Sequence, residues 1–145
     1  MPADLTCTRL IVSPTNSKQR LLEHINSATS SLDIEVMYVT ETTIRNAIGA
    51  AKTRGANVRV IVNEGTDDAV AYFKGLGIPV KTPGSFYLHA KLIIANDVAF
   101  VGSENMSFTS LSKNREVGAL VFEPSAFMPI KTQFEADWAA SIAVP

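Results

Sequence analysis

The strongest constraint on the fold is the alternation, through the first half of the chain, of short β-branched runs with longer stretches of helical period. Residues 9–13 form an apolar run closed by Pro14, and residues 15–30 then set Leu21, Leu22, Ile25 and Ala28 on one helical face. Residues 32–39 alternate Leu32, Ile34 and Val36 against Asp33 and Glu35, as a half-buried strand does. A second helix opens between Thr40 and Thr43, buries Ile44, Ala47, Ile48 and Ala51, and stops at Gly55. Val58, Val60, Ile61 and Val62 make residues 57–63 a buried strand. Strands separated by helix-length segments pair in parallel through right-handed crossovers. The expected fold is therefore α/β, an α/β/α sandwich with a mixed, mostly parallel sheet.

The remainder continues the pattern. Glu64-Gly65-Thr66-Asp67-Asp68 precedes Val70, Tyr72 and Phe73, and acidic residues there favour a helix N-terminus through the dipole. Two adjacent carboxylates without a partner histidine read as a cap, so no metal site is assigned to them. Residues 78–82 read as a short strand, 106–114 as a loop or short helix, and 115–122 as another strand. A final helix over 125–142 carries Phe127, Ile130, Phe134 and Trp138 on its inner face. With 145 residues, 46% of them hydrophobic, and no repeat or linker, residues 1–145 are expected to form one domain.

Charge and cysteine content exclude several classes. Thirteen basic against fourteen acidic residues leave a net charge of −1, which argues against indiscriminate electrostatic binding to nucleic acid. Cys7 is the only cysteine, so neither an intrachain disulfide nor a multi-thiolate metal site can form. Met1-Pro2-Ala3-Asp4 lacks a secretory signal, and no run reaches the ~18 apolar residues of a membrane helix. The chain as written reads as soluble and cytoplasmic, or as exported if it was trimmed from a longer precursor.

The chemistry concentrates in residues 87–105. The pattern predicts a hairpin with strands over 88–95 and 98–102 around an Asn96-Asp97 turn. Alternation sets His89, Lys91 and Ile93 on one side and Ala90, Leu92 and Ile94 on the other. Gly102-Ser103-Glu104-Asn105 follows, with Gly102 letting the backbone bend so that a hydroxyl and a carboxamide reach the His–Lys pair. An imidazole, an ammonium, a hydroxyl and an amide suit the binding of a phosphate and an attack on it. A lone strand histidine is ordinarily a hydrogen-bonded core residue. A histidine and a lysine facing one way before a Gly-Ser-x-Asn turn are harder to explain by packing. His24, beside the first helical stripe, reads as a flank or surface residue.

These residues resemble the phospholipase D superfamily, whose signature is H-x-K-x4-D followed by G-S-x-N. His89, Lys91, Gly102, Ser103 and Asn105 match it in type and order, while Asn96 stands at the motif acid and Asp97 comes one residue late. A single deletion in the turn, with Asp97 standing in for the acid, is the simplest account. Asn114-Arg115-Glu116 resembles the family's N-R-E segment, which makes Glu116 the candidate to hold a catalytic imidazole.

The resemblance implies a metal-independent phosphodiesterase with no cofactor. Phosphodiester hydrolysis needs a nucleophile, an acid for the leaving oxygen and positive charge for the remaining oxygens, and one imidazole cannot supply the first two together. His89 of one subunit would form a phosphohistidine while His89 of a second acts as acid and then base, so the expected partner is a second copy in a homodimer. Lys91 and Asn105 would hold phosphoryl oxygens, and Ser103 would assist. The short single-motif chain resembles the small dimeric endonucleases of the superfamily, so nucleic acid is the first expectation for the substrate. A half-domain of a phospholipase or cardiolipin-synthase-like phosphatidyltransferase is the alternative. A non-catalytic binding domain of the same fold is a third.

Overall fold

The computed structural model describes residues 9–145, so the readings of the N-terminal four residues and of Cys7 fall outside the described residues. The elements run β1 (Leu10–Ser13), α1 (Ser17–Asn26), β2 (Ser31–Val36), α2 (Thr42–Thr53), β3 (Asn57–Ile61), α3 (Asp68–Gly75) and β4 (Val80–Pro83). They continue β5 (Lys91–Ala95), β6 (Val98–Gly102), α4 (Phe108–Ser112), β7 (Glu116–Val121), α5 (Pro124–Ala140) and β8 (Ser141–Ala143). All the strands join one sheet in the order β1-β7-β6-β5-β2-β3-β4-β8.

Helices cover both faces, as the apolar runs require. Every residue from Leu32 to Val36 and from Lys91 to Ala95 is buried, which a strand achieves only between two layers. Ile34, Ile93 and Phe100 stand in register across β2, β5 and β6 and belong to the core shared with Leu21, Ile25, Ile48 and Phe73 of α1 to α3. Leu92, Ile94 and Ala99 face the other way, against Phe127 and Phe134 of α5. Fully burying side chains of this size stabilises by about 1.5–3 kcal/mol each.

The mixed sheet matches the expectation, but its pairing is not mostly parallel. Parallel ladders are confined to β2–β3 and β3–β4, where α2 and α3 provide the crossovers. The β1–β7, β7–β6, β6–β5, β5–β2 and β4–β8 ladders are antiparallel. A tight turn can join only antiparallel strands, and the resulting β5–β6 hairpin takes the side of β2 that a β1 crossover would otherwise fill. β1 is displaced to the edge beside β7. The last helix ends at Ala140 rather than 142, and β8 pairs Ile142 with Thr82 at the opposite edge. His24 is buried, with Nε2 2.9 Å from the Ile93 carbonyl oxygen, and burial lowers its pKa against the opposing pull of that hydrogen bond. It is a core residue and not a surface one.

The α5-facing side of β2 carries two acids with different environments. Asp33 is ion-paired with Arg59 and Lys131. Glu35 is 3% exposed, and its Oε1 has no hydrogen-bond partner among the described residues. Burial first, and then the charge and hydrogen bond of Asp137, push its carboxyl up from the ordinary 4.5 to about 8. Folded protein therefore holds a proton that unfolded protein has released, and stability is expected to fall as pH rises from about 4.5 to about 8. Denaturant midpoints at pH 5 and pH 8.5 should differ, and Glu35→Gln, which cannot ionise, should narrow the difference. An equal pH response in the two proteins would assign the effect to other groups.

Candidate active site

The site residues gather at one end of the sheet because the hairpin and β7 bring three strand ends together. Lys91 is the first residue of β5, and His89 lies two residues before it, outside the strand. Gly102 ends β6, and Glu116 begins β7, which pairs Gly102 with Gly118. Lys91 shares its face of β5 with Ile93, and Glu116 shares its face of β7 with Gly118 and Leu120, as alternation predicted.

His89 and Lys91 meet. Lys91 Nζ donates to the His89 carbonyl oxygen at 2.8 Å and lies 3.0 Å from His89 Nδ1. The imidazole is exposed, whereas Lys91 is only 7% exposed. Burial lowers the Lys91 pKa, while the Glu116 charge opposes the shift. The Tyr87 ring stacks over His89 with centroids 6.4 Å apart and planes at 27°. A cleft of about 360 Å³ is bounded by Met37, Tyr38, Asn63 and Tyr87, with neither His89 nor Lys91 in its lining. A larger hollow of about 550 Å³ between α1 and α4 includes none of the site residues.

Glu116 is held from three directions. Its Oε1 accepts from Ser103 Oγ at 2.7 Å, and its Oε2 accepts from Ser110 Oγ at 3.0 Å and Asn114 Nδ2 at 3.1 Å. Burial works against its ionisation, but those hydrogen bonds and the Lys91 charge prevail and hold its pKa below the ordinary carboxylate range. No hydrogen bond joins Glu116 to His89 of the same chain among the described residues. Ser103 also accepts from the Val117 N–H at 3.1 Å, so its hydroxyl is fixed between strand and carboxylate. Asn105 Oδ1 is buried without a hydrogen-bond partner among the described residues. The loop after it is tied down where Thr40 N–H and Glu41 N–H donate to the Met106 carbonyl oxygen at 2.9 and 3.0 Å.

Two features were not legible from the motif. Glu104, the variable residue of Gly-Ser-x-Asn, is fully buried and lies over Gly102 and Gly118. A Cβ on Gly118 would approach Glu104 Oε2 to 2.8 Å, and one on Gly102 would meet the same oxygen and the Gly118 Cα, so both glycines are needed for close approach. Neither has a positive φ, so the bend expected at Gly102 is not its role. Burial pushes the Glu104 carboxyl above the ordinary range, and the Glu116 charge works in the same direction, against hydrogen bonds that favour ionisation. The second feature is Ser110, whose contact with Glu116 crosses from α4 to β7.

The hairpin turn also corrects the motif reading. Asn96, and not Asp97, acts as the supporting residue. It adopts φ 53°, its Oδ1 accepts from Ser30 N–H at 3.1 Å and Ser30 Oγ at 2.9 Å, and its Nδ2 donates to the Ser27 carbonyl oxygen at 2.9 Å. An amide can accept and donate at once, which a carboxylate cannot. Asp97 is exposed at the turn.

The family described as cardiolipin synthase, PLD-like domain, matches residues 21–138. The chain belongs to the phospholipase D superfamily. This phospholipase D-like domain is 36% identical over 126 residues to a probable cardiolipin synthase, YwiE, of Bacillus subtilis, covering 79% of the chain and 25% of that relative. It is 34% identical over 110 residues to phospholipase D Y of Dictyostelium discoideum, covering 68% of the chain and 25% of that relative. The domain thus spans about a quarter of the length of these curated relatives. Among solved structures it resembles the phospholipase D family member Nuc of Salmonella typhimurium with a TM-score of 0.85 and 25% identity, covering 94% of this chain and 96% of that one. NucT of Helicobacter pylori shares the fold with a TM-score of 0.83 and 22% identity, over 92% of this chain and 96% of that one. Among the described residues no helix is long and apolar enough to cross a membrane.

Proposed function

We propose that this domain is a metal-independent phosphodiesterase whose active site is completed by a second copy of the chain. The observation that carries the reading is an exposed imidazole, His89, held against the buried ammonium of Lys91. A ring nitrogen of His89 attacks phosphorus, a P–N bond forms, and the P–O bond to the leaving alcohol breaks. The protonated His89 of the second copy gives its proton to that oxygen. It then takes a proton from water, whose oxygen attacks phosphorus, breaks the P–N bond and releases the phosphomonoester. Lys91 and Asn105 neutralise and bind the phosphoryl oxygens, Ser103 supports them, and Glu116 orients an imidazole and stabilises its cation.

The second copy is required by a shortage of imidazoles. The chain has two histidines, and His24 is buried with its Nε2 held at the Ile93 carbonyl oxygen. Val117, next to Glu116 in β7, is 51% exposed, which leaves an apolar side chain near the strand end for an isologous contact.

Nucleic acid is the proposed substrate, supported by the match to Nuc over 96% of that chain's length. The second reading, a phosphatidyl-transferring half-domain, is favoured by the 36% identity to a probable cardiolipin synthase. The intact His89, Lys91, Asn105 set argues against a purely binding role. Turnover of a chromogenic phosphodiester is expected to survive EDTA, because Lys91 and an imidazolium supply the charge a metal would otherwise bring. Loss in EDTA with recovery on adding divalent ions would overturn the mechanism. Parallel assays on DNA and on anionic phospholipid vesicles separate the two substrate readings.

A further inference from the structure

His89 belongs to a stretch between β4 and β5 that has no ladder of its own, yet a nucleophile must be held in one position. Two contacts fix the chain immediately before it. The Leu88 side chain is 2% exposed and packs in the core beneath α5. The Leu88 backbone is clamped by one side chain: its N–H donates to Asn63 Oδ1 at 2.9 Å, and Asn63 Nδ2 donates to its carbonyl oxygen at 2.6 Å. A carboxamide presents a donor and an acceptor as a peptide unit does, so Asn63 serves Leu88 as a neighbouring strand would. Asn63 lies two residues beyond β3, and its own N–H donates to the Met37 carbonyl oxygen, just past β2, at 3.1 Å. An unbroken series of hydrogen bonds thus links the central strands to the peptide that carries His89.

We propose that Asn63 is a positioning residue for His89, setting the height of the imidazole above the sheet end and its offset from Lys91. This deepens the reading of His89 as nucleophile and rests on it. The His89 peptide is gripped on one side by Asn63 through Leu88 and on the other by Lys91 Nζ at its carbonyl oxygen. Without Asn63, the Leu88 N–H and carbonyl lose both partners, and the stretch is held only by the buried Leu88 side chain, which constrains depth but not rotation, and by Lys91 at the His89 carbonyl oxygen. In-line attack needs the reacting atoms about 3–3.5 Å apart, and a displacement of about 1 Å costs on the order of 10²-fold in rate.

The test compares Asn63→Ala and Asn63→Asp with Val70→Ala, a core truncation in α3. Asn63→Ala is expected to lower kcat by about 10²-fold with little change in KM, the pattern of a lost transition-state geometry. Asn63→Asp, which still accepts from the Leu88 N–H, should recover part of the loss. Val70→Ala should lower Tm at least as much while leaving kcat near wild type. In parallel, histidine-labelled protein contains only His24 and His89 as NMR probes. The His89 signal should broaden or multiply in Asn63→Ala, while that of His24 stays in place. An unchanged kcat in Asn63→Ala, or a kcat loss matched by Val70→Ala at equal Tm, would overturn the proposal. If the wild-type protein turns over no phosphodiester, the proposed function fails and the NMR arm decides alone. An undisturbed His89 signal then overturns the positioning role, and a disturbed one supports it. Should Asn63→Ala not fold, Asn63→Asp carries both measurements, with a smaller effect expected.

Discussion

In mixtures of wild-type and His89→Ala chains at constant total protein, activity is expected to fall as the square of the wild-type fraction. Attack on phosphorus and protonation of the leaving oxygen each consume one imidazole, and the only other histidine is committed to the Ile93 carbonyl. A mixed dimer retains one His89 and stalls at whichever step lacks its partner. After random exchange at equal proportions, about a quarter of the activity should remain, against about a half for a site complete within each chain. His89→Ala alone should be inactive. The variant should fold normally, because the imidazole it removes is exposed. Light scattering on the same samples checks the assembly, and an active monomer would refute the composite site. A monomer inactive at every mixing ratio would instead favour the half-domain reading.

Glu116→Gln is expected to lower turnover by about 10²–10⁴-fold, the range of a lost acid–base contribution, with the fold preserved. The carboxylate accepts from Ser103, Ser110 and Asn114, and it feels the Lys91 charge. A glutamine has one accepting oxygen, and its NH2 group would face a hydroxyl or amide that now donates. The cradle must rearrange, and the negative charge that stabilises an imidazolium is gone. Circular dichroism and Tm should stay close to wild type, because Glu116 is only partly buried at a strand end. Unchanged turnover would reduce Glu116 to a structural anchor for Ser103 and α4.

Much of the candidate site was legible because its signature is local. His89 and Lys91 are two residues apart, and Gly102-Ser103-Glu104-Asn105 follows at the end of the same hairpin, so one short stretch was enough to name the candidate residues. The pattern also identified the faces of the strands. Lys91 with Ile93, and Glu116 with Gly118 and Leu120, lie as a period of two requires. The hairpin began three residues later than expected, because His89 pairs with no strand; Asn63, 25 residues away along the chain from Leu88, takes over that function.

By itself, then, the sequence determined the α/β class, the helix and strand periods and the motif residues, since each depends on neighbours within a turn or a hairpin. Only the tertiary structure decided the strand order, the preponderance of antiparallel ladders, the edge position of β1 and the closing strand β8. It also decided that Glu104 fills the space over two glycines, that Asn96 rather than Asp97 ties the turn to the α1–β2 loop, and that Glu116 leans on Ser110. The physical reason is common to all of these. Each is a contact between segments whose proximity is set by which apolar faces can be buried together, and that competition is decided over the whole sheet.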